Sequence, residues 1–169
     1  MTSWRELTAE LDRWAENGTV ASFWWRDDDA IEPTSELDRL LSLSDEKGVP
    51  VAVAVIPAAA RRELRIKLSS DGVDVLQHGY AHQSHSKNSE KKAELGNDRP
   101  TWDVASELAE GRSRMFDIFG DEGWVNVMVP PWNRIDASIM NLLPGLGYSG
   151  LSTFAPRRIA HAPPGLTVV

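Results

Sequence analysis

The spacing of apolar residues along the chain alternates between two periods. Residues 3–16 carry Trp4, Leu7, Leu11 and Trp14 three or four apart, which predicts an amphipathic helix capped by Thr2 or Ser3 and closed by Gly18. Val20–Trp25 is apolar and aromatic and predicts a strand. Thr34 or Ser35 then caps a helix through Leu37, Leu40, Leu41 and Leu43 that ends at Gly48. Val49–Ile56 is nearly all Val and Ala, apolar on both faces, as in a buried parallel strand. The remaining prediction is a helix over 58–68, a strand Val73–Gln77, a helix over 101–118, a strand Trp124–Val129, a helix over 136–143 and a strand Ser149–Phe154. A further strand begins near residue 166. Between Gly79 and Pro100 lies a polar stretch too long for a plain connection. Its charged run, Lys87 to Lys92, suits a solvated loop face. Strands alternating with helices, the strands buried, predict an α/β fold built on a parallel sheet, open or closed into a barrel.

Composition narrows the function. With 169 residues, 41% of them hydrophobic, the chain is long enough for one domain over 1–169 and too apolar to be disordered. The longest apolar stretch, Val49–Ala60, is interrupted by Pro50 and Pro57, so no membrane span is expected. Residues 1–20 mix acids among their apolar positions and carry no secretory leader, so a cytoplasmic location is expected. A net charge of −7 argues against a nucleic-acid partner, which needs a basic face. The absence of cysteine excludes disulfides, thiol nucleophiles and thiolate metal ligands. Any metal must use His, Asp, Glu or water. Three of the four histidines, His78, His82 and His85, lie close together.

In parallel α/β folds, active sites sit at the carboxyl ends of the strands. The predicted strands are followed by Arg26-Asp27-Asp28-Asp29, by His78-Gly79-Tyr80-Ala81-His82-Gln83-Ser84-His85 and by Pro130-Pro131-Trp132-Asn133-Arg134, all on one rim. Three adjacent carboxylates repel one another unless a cation offsets them. A solvated turn with Asp as a helix cap is the plainer use of such a triplet, but these acids abut Phe23, Trp24 and Trp25. His78 and His82, four apart, can present both rings on one side, and two imidazoles with one carboxylate make a metal site with open positions. His85 fits a group supporting the ligands, a substrate contact or a polar loop residue equally well. Pro130 and Pro131 remove two donors and stiffen the backbone, so the Trp132 amide points in a fixed direction that suits an oxyanion; a rigid turn whose Trp fills a gap is the alternative.

Asp-Asp after the first strand, His-x-x-x-His after the third and Pro-Pro-aromatic after the fourth resemble the NodB-type polysaccharide deacetylases. The Arg-x-Asp-Asp form and the His-Gly-Tyr-Ala-His-Gln-Ser-His segment resemble an uncharacterised bacterial branch of that superfamily. The resemblance spans residues 20–169 and implies a distorted (β/α) barrel that removes acetyl groups from N-acetylated sugars with a divalent metal. Asp28-Asp29-Ala30, with Pro33 downstream, fits the family frame better than Asp27-Asp28-Asp29. The resemblance thus implies Asp28 as catalytic base, Asp29, His78 and His82 as metal ligands, and the Trp132 amide at the oxyanion. Ligand type implies Zn²⁺. His85, Pro131 and Arg134 are the candidate substrate contacts.

The chain departs from the family in two ways. The family carries an Arg just before the proline motif that orients the base. That position here is Val129, leaving Arg26 or Arg134 as substitutes. The family also has a late strand with a general-acid histidine. The sequence stops at Pro163-Pro164-Gly165-Leu166-Thr167-Val168-Val169, the start of such a strand, and His161 precedes it. Six strands leave an open edge where a closed small barrel takes about eight. The expectation is therefore a barrel incomplete at its C-terminal end, either a piece of a longer protein or a chain whose open edge a second copy covers. It would bind metal but turn over slowly, and a fully active monomer would move the acid role to His85 or His161. Two other functions fit the same residues: hydrolysis of a small cytoplasmic amide, and a non-catalytic metal- or sugar-binding protein.

Overall fold

Six strands pair side by side in chain order, all parallel: β1 (Arg26–Ala30), β2 (Val51–Val55), β3 (Val73–His78), β4 (Val127–Val129), β5 (Gly150–Leu151) and β6 (Thr167–Val168). The computed structural model describes residues 4–87, 90–154 and 162–169. His161, Thr2 and Ser3 lie outside the described residues. Helices α1 (Trp4–Glu16), α2 (Ser35–Lys47), α3 (Leu64–Lys67), α4 (Thr101–Phe119) and α5 (Ala137–Met140) fall between the strands or ahead of them. This is the expected α/β alternation, with β1 and β6 at the edges of an open sheet.

Strand β2 is buried along its whole length, and its alternation sorts the core into layers. Val53 and Val55 join Val75 beneath Leu37 of α2, Leu64 of α3 and Met115, Ile118 and Phe119 of α4. Ala52 and Ala54 face the other way, against Leu76 and Val129. A third cluster joins Met128 and Leu151 to Val104 and Leu108 of α4 and to Ile139, Leu143 and Tyr148. The sheet curls: Arg26 on β1 hydrogen-bonds to Ser152, just beyond β5.

Several boundaries differ from the sequence pattern. Val20–Trp25 is not a strand. Pairing starts where Ala52 donates to the Trp25 carbonyl (2.9 Å), and Arg26-Asp27-Asp28-Asp29-Ala30 is itself β1. Register places Arg26 opposite Ala52, so upstream residues would have to pair beside Pro50, which has no N–H to donate. Val20 and Phe23 are left exposed. The predicted helix over 58–68 shrinks to Leu64–Lys67 because tertiary partners take its first turn. Arg114 binds the carbonyls of Pro57 and Ala58, and the Arg61 amide donates to Ile31. Helix 136–143 likewise shortens to Ala137–Met140, and the fourth and fifth strands to three and two residues. Helix α1 forms as its period predicts, yet none of its residues is buried. Thr34 caps α2 by accepting from the Leu37 amide at 3.1 Å.

Candidate metal and base site

The site grows from a break in β1. Arg26 is in register with Ala52 and Asp27 with Val53, but the ladder then slips, and Ala30 next meets Val55. Asp29 occupies the slip in the left-handed region, at φ 72. The three acids therefore part company. Asp27 lies in register with the helix-covered side of the sheet, Asp28 turns inward beside Arg26, and the Asp29 carboxylate swings toward β3.

His78 ends β3 and is buried, with Nδ1 2.9 Å from the Val129 carbonyl. A carbonyl only accepts, so Nδ1 carries the hydrogen and Nε2 is left with its lone pair. That Nε2 lies 3.1 Å from Asp29 Oδ1, and His82 Nε2 lies 3.2 Å from the same oxygen. Ligand atoms of Asp29, His78 and His82 all fall within 4.8 Å of one another. Burial holds the His78 pKa below its ordinary value, against the opposing pull of the Asp28 and Asp29 charges and the Val129 bond. A buried imidazole that resists a second proton, aimed at a carboxylate, is balanced by a cation between them. The donor set and its spacing thus fit a divalent metal.

Asp28 is held differently. Arg26 donates Nε to Oδ1 at 2.7 Å and Nη2 to Oδ2 at 3.0 Å. The guanidinium is anchored in turn by the Ser152 hydroxyl (2.5 Å), the Ser152 carbonyl (3.3 Å) and Asn133 Oδ1 (2.9 Å). Of the two candidate substitutes for the missing arginine, Arg26 reaches Asp28. Arg134 instead donates to the Lys92 carbonyl at 2.8 Å. Asp27 is pushed above its usual carboxylate range by burial, then by the charges of Asp28 and Asp29.

Trp132 closes another side. Its ring lies 4.4 Å from that of His82, with the Lys92 ammonium 5.9 Å above it. Pro131 is buried and packs against Gly79. Among the described residues the Trp132 amide has no acceptor. The His85 amide donates to the Ala93 carbonyl at 3.0 Å, and His85 is not in the ligand cluster of Asp29, His78 and His82.

Four non-glycine residues among those described have positive φ: Asp29, His82, Trp132 and Asn133. All four belong to this site. Such backbone costs about 1–3 kcal/mol per residue and persists only where the surroundings over-determine it.

No family model matches the sequence, and no curated protein sequence does. Solved structures do. The chain is similar to a de-N-acetylase from Aggregatibacter actinomycetemcomitans (TM-score 0.65, 11% identity, 99% of this chain and 76% of that one). It is similar to the chitin deacetylase of Colletotrichum lindemuthianum (TM-score 0.57, 22% identity, 76% and 53%). It is also similar to a family 4 carbohydrate esterase from Streptomyces lividans in complex with acetate (TM-score 0.58, 14% identity, 78% and 62%). The chain has the fold of the polysaccharide deacetylases. It spans less than two thirds of several of these structures, down to 37% of a Mycobacterium smegmatis chain. On this deacetylase fold the clustered acids and histidines sit at the carboxyl ends of β1 and β3, where parallel α/β folds carry their active sites.

Sequence reasoning left three residues of the site without a role. Asn133 follows a predicted strand, so the rim rule that found the acids reaches it too. Ser152 falls inside the predicted strand Ser149–Phe154 and comes to the rim only because β5 ends at Leu151. Glu94 is buried and binds the amides of Tyr80 and Ala81. It lies deep in the polar stretch, and no local signal marks it.

Proposed function

We propose that this chain is a metal-dependent amide hydrolase that removes acetyl groups from an N-acetylated carbohydrate. One observation carries the reading: on a fold shared with carbohydrate deacetylases, Asp29 meets His78 and His82 while the adjacent Asp28 is held apart by Arg26. Neighbouring carboxylates in opposed environments suit one ligand and one base.

Asp29, His78 and His82 would hold the cation, and Zn²⁺ matches a donor set of two imidazoles and a carboxylate. When bound, the metal supplies a Lewis acid for the acyl carbonyl and lowers the pKa of a coordinated water. Asp28 accepts the proton from the attacking water, its carboxylate fixed by the Arg26 fork. The Trp132 amide, without an internal acceptor and held by the Pro130-Pro131 turn, donates to the oxyanion. The Val129 carbonyl fixes the His78 tautomer so that Nε2 faces inward.

The test is acetate release from acetylated chitooligosaccharides, with and without a chelator. Release that the chelator stops and zinc restores is expected. No release with any divalent metal, or release indifferent to the chelator, would overturn the reading.

A further inference from the structure

We infer that Glu94 is a positioning residue for His82, its carboxylate holding the chain between the two histidines in the shape that brings both rings to Asp29. This rests on the metal reading above.

Glu94 is 1% exposed. A carboxylate so buried is costly unless its oxygens find donors. Both do: Oε1 accepts from the Ala81 amide at 2.7 Å and Oε2 from the Tyr80 amide at 3.2 Å. Those amides belong to the two residues just before His82. Gly79 opens the same turn at φ 55, and a Cβ there would lie 2.0 Å from Glu94 Oε2 and 2.7 Å from the Pro131 ring. The carboxylate fills the space that glycine leaves. His82 then sits in the left-handed region at φ 55, which a histidine rarely adopts without outside support.

The flanks of Glu94 are tied on both sides. His85 donates to the Ala93 carbonyl at 3.0 Å, and the Ala93 amide donates to Ser84 Oγ at 3.3 Å. On the other side the Leu95 carbonyl accepts from the Asp136 amide at 2.8 Å, and Leu95 bridges to Ile135. Residues 93–95 therefore brace the histidine loop against the loop that carries Trp132. Only a group with two acceptors suits this place. A glutamine would keep one acceptor and set its NH₂ against the other amide.

The test measures zinc affinity by competition with a chromogenic chelator. Glu94→Gln should bind zinc ten- to a hundred-fold more weakly than the original protein, the usual cost of removing a group that orients a ligand. Leu64→Ala, a core truncation on the buried side of α3, controls for lost stability and should keep full affinity. If Glu94→Gln fails to fold, Glu94→Asp carries the same test, since it keeps both oxygens but reaches one methylene less. A folded Glu94 variant that binds zinc as tightly as the original overturns the inference, as does equal weakening in Leu64→Ala. An original protein that takes up no zinc at all defeats the metal reading itself and this inference with it, a result distinct from either.

Discussion

Arg26 grips Asp28 with two arms of its guanidinium, at 2.7 and 3.0 Å, from a position two residues earlier on the same strand. The remaining nitrogen reaches Ser152, and Asn133 braces the fork from a third segment. The Asp28 carboxylate is thus oriented from three parts of the chain, although its partner is almost its sequence neighbour.

Replacing that fork with a point charge should disturb orientation without removing the positive charge. Arg26→Lys is expected to lower kcat for acetate release on the order of 10²-fold, the scale of a misplaced catalytic group. Zinc affinity should hold. Unchanged kcat would mean that Arg26 serves only the fold.

The acids should separate by role. Asp28→Asn is expected to keep zinc and lose about 10²- to 10⁴-fold in turnover, the range for a general base. Asp29→Asn should lose both metal and turnover. Asp27→Asn, which removes a carboxylate from outside the site, should keep both. Metal analysis and kinetics on the three variants would show the reverse pattern if Asp27 and Asp28 were the functional pair.

His78→Ala and His82→Ala should each abolish stoichiometric zinc, because two protein ligands make a weak site. Far-ultraviolet circular dichroism should stay near that of the original protein for His82→Ala, whose ring lies at the rim. Tight zinc in either variant would remove that histidine from the ligand set.

Leu76 is fully buried between β2 and β4, among Ala52, Ala54 and Val129. The alanines beside it are too small to fill a void. Leu76→Ala is expected to cost about 2–5 kcal/mol in denaturant unfolding, toward the upper end of that range. A loss under about 1 kcal/mol would mean that this face of the sheet is loosely packed.

The order of elements was legible because buried strands and amphipathic helices differ in period. Val51–Val55 could hardly be anything but a central strand. The acid and histidine motifs were legible because strand ends collect chemistry. The start of β1 was not. Phe23, Trp24 and Trp25 read as strand by composition, but pairing depends on what β2 offers, and Pro50 offers no donor. The short α3 was hidden for a similar reason, since Arg114, far along the chain, claims the carbonyls that a longer helix would use. Glu94 was hidden more deeply, because its partners are backbone amides, which carry no residue identity.

The bond from Arg26 to Ser152 joins the first of six neighbouring strands to the residue just past the end of the fifth. In a flat sheet those strands would stand about 19 Å apart, at roughly 4.8 Å per spacing, far beyond one side chain. The bond therefore exists only while the sheet stays rolled, and the grip on Asp28 shares its guanidinium. With Asp28 as the proposed base, anything that unrolls the sheet, including gentle denaturant or a core substitution remote from the rim, is expected to loosen its carboxylate before the helices melt. Activity becomes a gauge of curvature: it should fade at lower denaturant than helical signal does.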